Sequence, residues 1–213
     1  MLYNKFVVCQ YIHMLCIDTK DVMILNLKLC FDIDDIIVDT VPSVIDYLNR
    51  KANLNLRVCD IVGYPIEQFV PDEYKYLVGQ AFEDKEMWKT VQLIPDAVYY
   101  LELLSREDYD IYFATATTTS NIFKKHSHLK RNLPFIDSQR KLINIKNKQL
   151  LNVDIMVDDS LHNLTVERSY WSICLDKPWN QIDDEIPRFS RVYNWKEIYE
   201  QIHLIDNFIM ENR

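Results

Sequence analysis

A chain of 213 residues with 48% hydrophobic and 12% aromatic content has the size and composition of one globular domain with room for a small insertion, which excludes a disordered or fibrous protein. The two glycines, Gly63 and Gly79, cannot write a GxGxxG dinucleotide turn or a P-loop, so any phosphate chemistry must use another device. Twenty-four Lys and Arg against 32 Asp and Glu give a net charge of −8, so no duplex nucleic acid partner is expected and a small anionic substrate needs local positive charge.

Five scattered cysteines (9, 16, 30, 59 and 174) form no CxxC pair and read as thiols of a reducing, cytoplasmic compartment rather than a disulfide framework. No apolar run reaches the 18 or so residues of a membrane span. The nearest, Phe6 to Ile17, is broken by Gln10 and His13 and is a poor signal peptide. Residues 1–22 show no clear period and are expected to be a dispensable extension, with Met23 as the natural place to begin.

In chain order, Leu27 to Phe31 reads as a buried strand that stops at acidic residues. A helix follows with Val41, Val44, Ile45 and Leu48 on one face, Thr40 as its expected N-cap and Pro42 in its first turn. Residues 41–92 are expected to carry a small helical cap, because Gly63, Pro65, Pro71 and Gly79 punctuate short helical pieces rich in aromatics. Residues 23–40 and 93–213 form the expected core. There a helix from Pro95 to about Arg106 turns Val98, Leu101 and Leu104 inward, and a strand Asp110 to Ala114 ends in Thr115-Ala116-Thr117-Thr118-Thr119.

A helix around Ile122 to Leu129, a short strand near Leu142 to Ile145 and a strand Ile155 to Val157 ending in Asp158-Asp159 continue the alternation. Strands at Ser172 to Leu175 and Arg191 to Tyr193 follow, and then a closing helix with Ile198, Ile202, Ile205 and Ile209 on one face. This alternation predicts an α/β doubly wound parallel sheet with a small helical cap inserted after the first strand.

In such sheets ligands bind beyond the carboxyl ends of the strands, and three strands here end in polar groups: Asp32-x-Asp34, Thr115 and Asp158-Asp159. Carboxylates gathered there cannot all stay ionised without a cation, and an all-oxygen set suits a hard ion such as magnesium. An EF-hand fails on spacing, with Ile36, Ile37 and Ser43 at loop positions five, six and twelve. His126 and His128 lie two apart on a predicted helix and read as surface or groove residues, and His162 as structural.

With these strand ends in order, the sequence resembles the haloacid-dehalogenase-like (HAD) phosphohydrolase superfamily. Its hhhhDxD motif corresponds to Leu29-Cys30-Phe31 leading into Asp32-Ile33-Asp34, its strand ending in Thr or Ser to Ile111 through Thr115, its Lys to Lys148 in preference to Lys146, and its hhhhDD to Ile155 through Asp159. Asp35 stands where DxDG has Gly, and Ala116 where relatives often carry a hydroxyl that Thr117 could replace. A closer resemblance, over about residues 25–205, is to the 5′(3′)-deoxyribonucleotidase family, carried by Pro95-Asp96-Ala97, the stretch Leu129 through Ile136, Asn147-Lys148, Asp158-Asp159-Ser160 with Asn163-Leu164, and Lys177-Pro178-Trp179-Asn180.

The resemblance implies a magnesium-dependent phosphatase of (deoxy)nucleoside monophosphates. Asp32 would be the nucleophile that forms an aspartyl-phosphate and Asp34 the general acid/base, a role a dehalogenase does not need. Thr115 and Lys148 would stabilise the phosphoryl charge, and Asp32, Asp34, Asp158 and Asp159 would hold Mg2+. Ala116 and Thr117 would line the phosphate, while cap aromatics, Phe69 and Trp88 first among Tyr64, Phe69, Tyr74, Phe82 and Trp88, would face the base. The partner is then a small nucleotide, with no membrane and with a homodimer left open. A phosphatase for another small phosphomonoester, such as a sugar phosphate, and a catalytically silent HAD domain are the alternatives; five intact catalytic groups speak against the second.

Overall fold

The computed structural model describes residues 26–164, 170–181 and 186–212, so the expected extension at 1–22 lies outside the described residues. Six parallel strands form one sheet: β1 (Lys28–Asp32), β2 (Asp110–Thr115), β3 (Leu142–Asn144), β4 (Ile155–Asp158), β5 (Trp171–Leu175) and β6 (Phe189–Val192), in the order β3-β2-β1-β4-β5-β6. The helices are α1 (Thr40–Ala52), α2 (Tyr76–Glu83), α3 (Lys85–Thr90), α4 (Ala97–Arg106), α5 (Thr119–Asn132), α6 (Ser138–Lys141), α7 (Leu161–Leu164) and α8 (Trp195–Glu211). This is the predicted doubly wound α/β architecture. Among the described residues no helix is long and apolar enough to cross a membrane.

Side chains alternate across a strand, and the central strands are apolar on both faces. Leu29 and Phe31, Phe113, Ile155 and Val157, and Ile173 and Leu175 share one core with Val44 and Leu48 of α1, Leu101 and Leu104 of α4, and Trp195, Ile198 and Ile202 of α8. The residues between them, Cys30, Ala114, Met156 and Cys174, face the other layer with Leu164 and Tyr170. Trp195 fixes the start of α8 twice, stacking on Phe31 at 5.4 Å between ring centroids and donating its Nε1 hydrogen to the Ile36 carbonyl at 2.8 Å.

The chain leaves β1 for β2 and β3 on one side, then crosses back to β4 on the other, so the order reverses beside β1. A crevice opens at such a switch point, beyond the carboxyl ends of the strands. The loop that leaves β1 folds tightly: Ile33, Ile36, Ile37 and Val38 are buried, and the amides of Ile37 and Val38 both donate to the Ile33 carbonyl at 3.0 Å. Asp35 takes φ 57°, the left-handed conformation glycine adopts without penalty, which fits the glycine of the DxDG pattern.

One local expectation changes. Thr40 is the first residue of α1 rather than its cap, and the preceding Asp39 makes no side-chain cap bond. Asp35 does that work from outside the helix, its Oδ1 accepting the Val41 amide at 3.0 Å, because the turn after β1 carries its side chain under the first turn of α1. The Thr40 hydroxyl is thereby free to reach Asp34 Oδ1 at 3.0 Å.

Between α1 and α4 the chain forms three short 3-10 turns (Val58–Asp60, Ile66–Phe69 and Asp72–Tyr74) and the helices α2 and α3. The core assignment is testable on α8: Ile202→Ala should cost ~2–5 kcal/mol of stability in urea denaturation, as expected for truncating a fully buried aliphatic. Leu204→Ala, on the exposed face of the same helix, should stay within ~0.5 kcal/mol.

Candidate active site

Asp32 ends β1, Thr115 ends β2 and Asp158 ends β4. The parallel register sets Asp32 beside Ala114 and Phe31 beside Val157, which brings the three ends to one side of the crevice. Lys148 reaches them from a 3-10 turn, Lys148–Leu150. Its Nζ stands 2.7 Å from Asp32 Oδ1 and 2.7 Å from Asp158 Oδ2. Lys146 is exposed while Lys148 is buried, so of the two it is Lys148 that reaches the acidic cluster.

Asp158 is fully enclosed. Its Oδ1 accepts the Ser160 amide at 2.8 Å, and its Oδ2 accepts Asn163 Nδ2 at 2.9 Å as well as Lys148. Asp159 faces the cleft, with Oδ2 accepting Trp179 Nε1 at 2.6 Å and the Tyr64 hydroxyl at 3.2 Å. Tyr64 comes from the segment after α1, so one hydrogen bond joins the cap region directly to the acidic cluster.

The sequence reading missed Lys125. On α5 its side chain is 1% exposed, and its Nζ pairs with Asp34 Oδ2 and donates to Thr115 Oγ1 at 2.6 Å. With Thr40 on Oδ1, both oxygens of Asp34 are held by donors. A signal did exist: the buried residues of α5 are Asn121, Lys125, His128 and Leu129, at helical spacing, so polar residues continue the inward stripe of Leu129 toward the strand ends.

Burial pushes Asp32 up from 3.8 to about 8; the neighbouring Lys148 ammonium pulls it down, and Asp158, Asp34 and Asp159 push it further up. Burial, with Asp158 beside it, likewise raises Asp159 to about 7. Asp35 goes well above the carboxylate range through burial and the Asp159 charge. Burial alone would lower Lys148, but Asp158 and Asp32 outweigh it and drive it up, so it remains an ammonium. Carboxylate oxygens of Asp32, Asp158 and Asp159 lie within 4.8 Å of one another, and this surplus of buried oxygen charge fits a hard divalent cation.

A cleft of about 260 Å³ opens over these groups, walled by Asp32, Asp34, Lys148 and Asp159 on the core side and by Tyr64, Ile66 and Phe82 on the cap side. Ala116 lines it, whereas Thr117 turns to the surface, where its amide donates to Asn144 Oδ1 at 3.1 Å and its carbonyl accepts Asn144 Nδ2 at 3.0 Å. Phe69 and Trp88 lie off the cleft wall. Phe69 packs on the cap interior and against Gly63; the Trp88 indole donates to the Phe82 carbonyl at 2.8 Å and faces α5. Of the five cap aromatics considered, Tyr64 and Phe82 line the cleft instead. His128 is buried beside Trp88, with 6.5 Å between ring centroids, and His162 is exposed.

Residues 26–208 match the family described as 5′ nucleotidase, deoxy (pyrimidine), cytosolic type C protein. The 5′(3′)-deoxyribonucleotidases of Bacillus subtilis and of Bacillus phage SPbeta are each 25% identical over 179 residues, 82% of this chain and 97% of theirs. Among solved structures, a haloacid dehalogenase-like family hydrolase from Streptococcus pneumoniae superposes with a TM-score of 0.57 at 15% identity, over 83% of this chain and 98% of that one. A HAD hydrolase from Bacillus subtilis solved with magnesium bound gives 0.52 at 15% identity, over 84% and 99%.

Two outcomes follow from this geometry. Between pH 3.8 and about 8 the folded chain keeps protons on Asp32 that the unfolded chain has released, so this group's contribution to stability falls as pH rises. The melting temperature without divalent cations should therefore drop between about pH 5 and about pH 8, and added magnesium should raise it most at the higher pH; an equal magnesium shift at both would contradict a cation on these carboxylates. Lys125→Met, which keeps length and removes charge, should lower turnover ~10²-fold, the low end of a positioned acid/base contribution, while Lys130→Met on the exposed face of α5 should leave phosphate release unchanged.

Proposed function

The chain belongs to the 5′ nucleotidase, deoxy (pyrimidine), cytosolic type C family and is a HAD-type phosphatase, and on that premise we propose that it hydrolyses deoxyribonucleoside monophosphates through an aspartyl-phosphate formed on Asp32. The observation that carries this reading is the pairing of two carboxylates in unlike surroundings two residues apart. Asp32 is tied to Lys148 in the buried cluster, and Asp34 stands at the cleft between Thr40 and Lys125.

Asp32 attacks phosphorus as Asp34 delivers a proton to the leaving sugar oxygen. Asp34 then takes a proton from the water that attacks the acyl phosphate and frees inorganic phosphate, so one difficult displacement becomes two easier ones. Lys125 and Thr40 aim the Asp34 carboxyl. Thr115, whose hydroxyl oxygen accepts from Lys125, keeps its own hydrogen for a phosphoryl oxygen, and Lys148 offsets charge beside the nucleophile. Asp32, the Asp34 backbone carbonyl and Asp159 are the proposed magnesium ligands, with Asp158 assigned instead to hold Lys148, since both its oxygens are engaged by donors within the chain. Bound there, magnesium would neutralise part of the carboxylate charge and polarise the phosphoryl group.

Base recognition falls to Tyr64 and Phe82, whose aromatic faces can stack on a flat ring. A volume of about 260 Å³ falls just below the usual range of ligand sites, roughly 300 to 1,000 Å³, and this favours a pyrimidine. Discrimination against a 2′-hydroxyl is proposed on the strength of the relatives' activity as deoxyribonucleotidases.

Phosphate release from dUMP, dTMP, their ribose counterparts and simple sugar phosphates, with and without magnesium, tests the assignment. The deoxynucleotides should lead in kcat/KM; parity with a sugar phosphate would leave only a general phosphatase. Asp32→Asn should lose ~10⁴-fold or more, as befits an essential nucleophile, and a variant retaining over about a hundredth of the rate would refute attack by Asp32.

A further inference from the structure

A second cavity, of about 320 Å³, lies outside the catalytic cleft, between α3 and α5. Lys85 and Lys89 of α3 and Lys124 and Arg131 of α5 surround it, Trp88 and Phe123 supply its rings, and no carboxylate lines it. On a chain of net charge −8 this gathering of four cations is local and runs against the overall balance. Two of them are committed: Lys89 pairs with Glu86 at 2.7 Å and Lys124 with Glu83 at 2.9 Å. Among the described residues Lys85 makes no ion pair, and Arg131 meets His128 Nδ1 at 3.1 Å. Phe123 is 67% exposed, a large apolar ring left in water at the mouth of a basic cavity.

A ligand that satisfies these groups carries several negative charges at one end and a flat ring at the other. The cations attract phosphate and the ring face stacks on a base, as in nucleotide and single-strand sites generally. A long polyanion would meet the repulsion of the whole acidic surface, so a short one fits better. We propose that this cavity is a second nucleotide site, for a free nucleoside polyphosphate, with the phosphates on Lys85 and Arg131 and the base on Phe123. The choice of a nucleotide over another ring-bearing polyanion rests on the activity proposed above; the cavity's charge and shape do not.

The site straddles the two parts of the molecule. Its α3 wall belongs to the segment that covers the catalytic cleft and its α5 wall to the core helix that carries Lys125. The Trp88 ring, part of the wall, lies 5.8 Å from Lys125 Nζ. An occupant therefore touches both the segment over the cleft and the core helix that carries Lys125.

The experiment is calorimetric titration of dTTP into the full chain in buffer with EDTA, where magnesium-dependent binding at the catalytic cleft is suppressed, with tripolyphosphate and thymidine as the two half-ligands. One dTTP should bind, more tightly than either half. Phe123→Ala and, separately, Lys85→Glu with Arg131→Glu should weaken it by ~10-fold or more, a shift well resolved as a change in Kd, while kcat/KM for dUMP without dTTP stays within about twofold. Failure to detect dTTP binding, binding unchanged in both variants, tripolyphosphate as tight as dTTP, or tighter binding of a single-stranded oligonucleotide would each overturn the proposal. Phosphate release reads the catalytic assignment separately, so one can fail without the other.

Discussion

The ammonium of Lys148 sits in a buried carboxylate cluster at 2.7 Å from both Asp32 and Asp158, and the site is organised around that unequal balance. A buried ion pair is stable only when its remaining lone pairs and protons find partners, which is the role of the Ser160 amide and the Asn163 side chain on Asp158. Asp32 keeps its position beside the cleft because Lys148 holds one oxygen from behind. Five carboxylates (Asp32, Asp34, Asp35, Asp158 and Asp159) face two buried lysines, and the excess is relieved by protonation or by a cation. The arrangement stores an affinity for positive charge where the reaction needs it.

The division of labour between the two lysines follows the strands that they serve. Lys148 approaches β1 and β4, the strands on either side of the switch point, while Lys125 approaches β2 and the loop after β1. Each joins a carboxylate from the first motif to a polar group on a neighbouring strand, Asp158 in one case and Thr115 in the other. Asp32 and Asp34, two residues apart in the chain, thereby sit in different electrostatic surroundings, as the proposed roles of nucleophile and acid/base require.

Much of this was legible in the sequence because the central strands of a parallel sheet are buried on both faces, so Leu29 to Phe31 and Ile155 to Val157 stand out as apolar runs that stop at acids. Lys148 was legible through its spacing from the last motif strand. Lys125 was hidden because α5, TSNIFKKHSHLKRN, is polar nearly throughout, and a lysine beside another lysine reads as solvated surface. The cap divided in the same way. Its aromatic content was plain, but choosing Tyr64 and Phe82 over Phe69 and Trp88 depends on how short irregular pieces fold over one another, and no period records that. Thr40 was misplaced by a single position since the true cap, Asp35, acts across a turn rather than from the residue next to the helix.

The sheet order has a consequence for how the molecule is made. β1 is central, yet its partners are β2, which begins at Asp110, and β4, which begins at Ile155, and the Lys28 amide is satisfied by the Asp154 carboxylate 126 residues further on. Such long-range pairings close slowly, because loop entropy is spent before contacts are gained. During synthesis from the amino end, Leu29, Phe31 and the apolar turn behind them wait for β2, and then with one edge still open until β4 has left the ribosome. The interval exposes an unpaired, sticky strand of the kind that chaperones shield. Asp32, Lys148 and the last acid pair thus become neighbours in one late event, and a truncated chain that stops before residue 155 would have β2 beside β1 but lack the strand that brings Asp158 and Asp159 to the site.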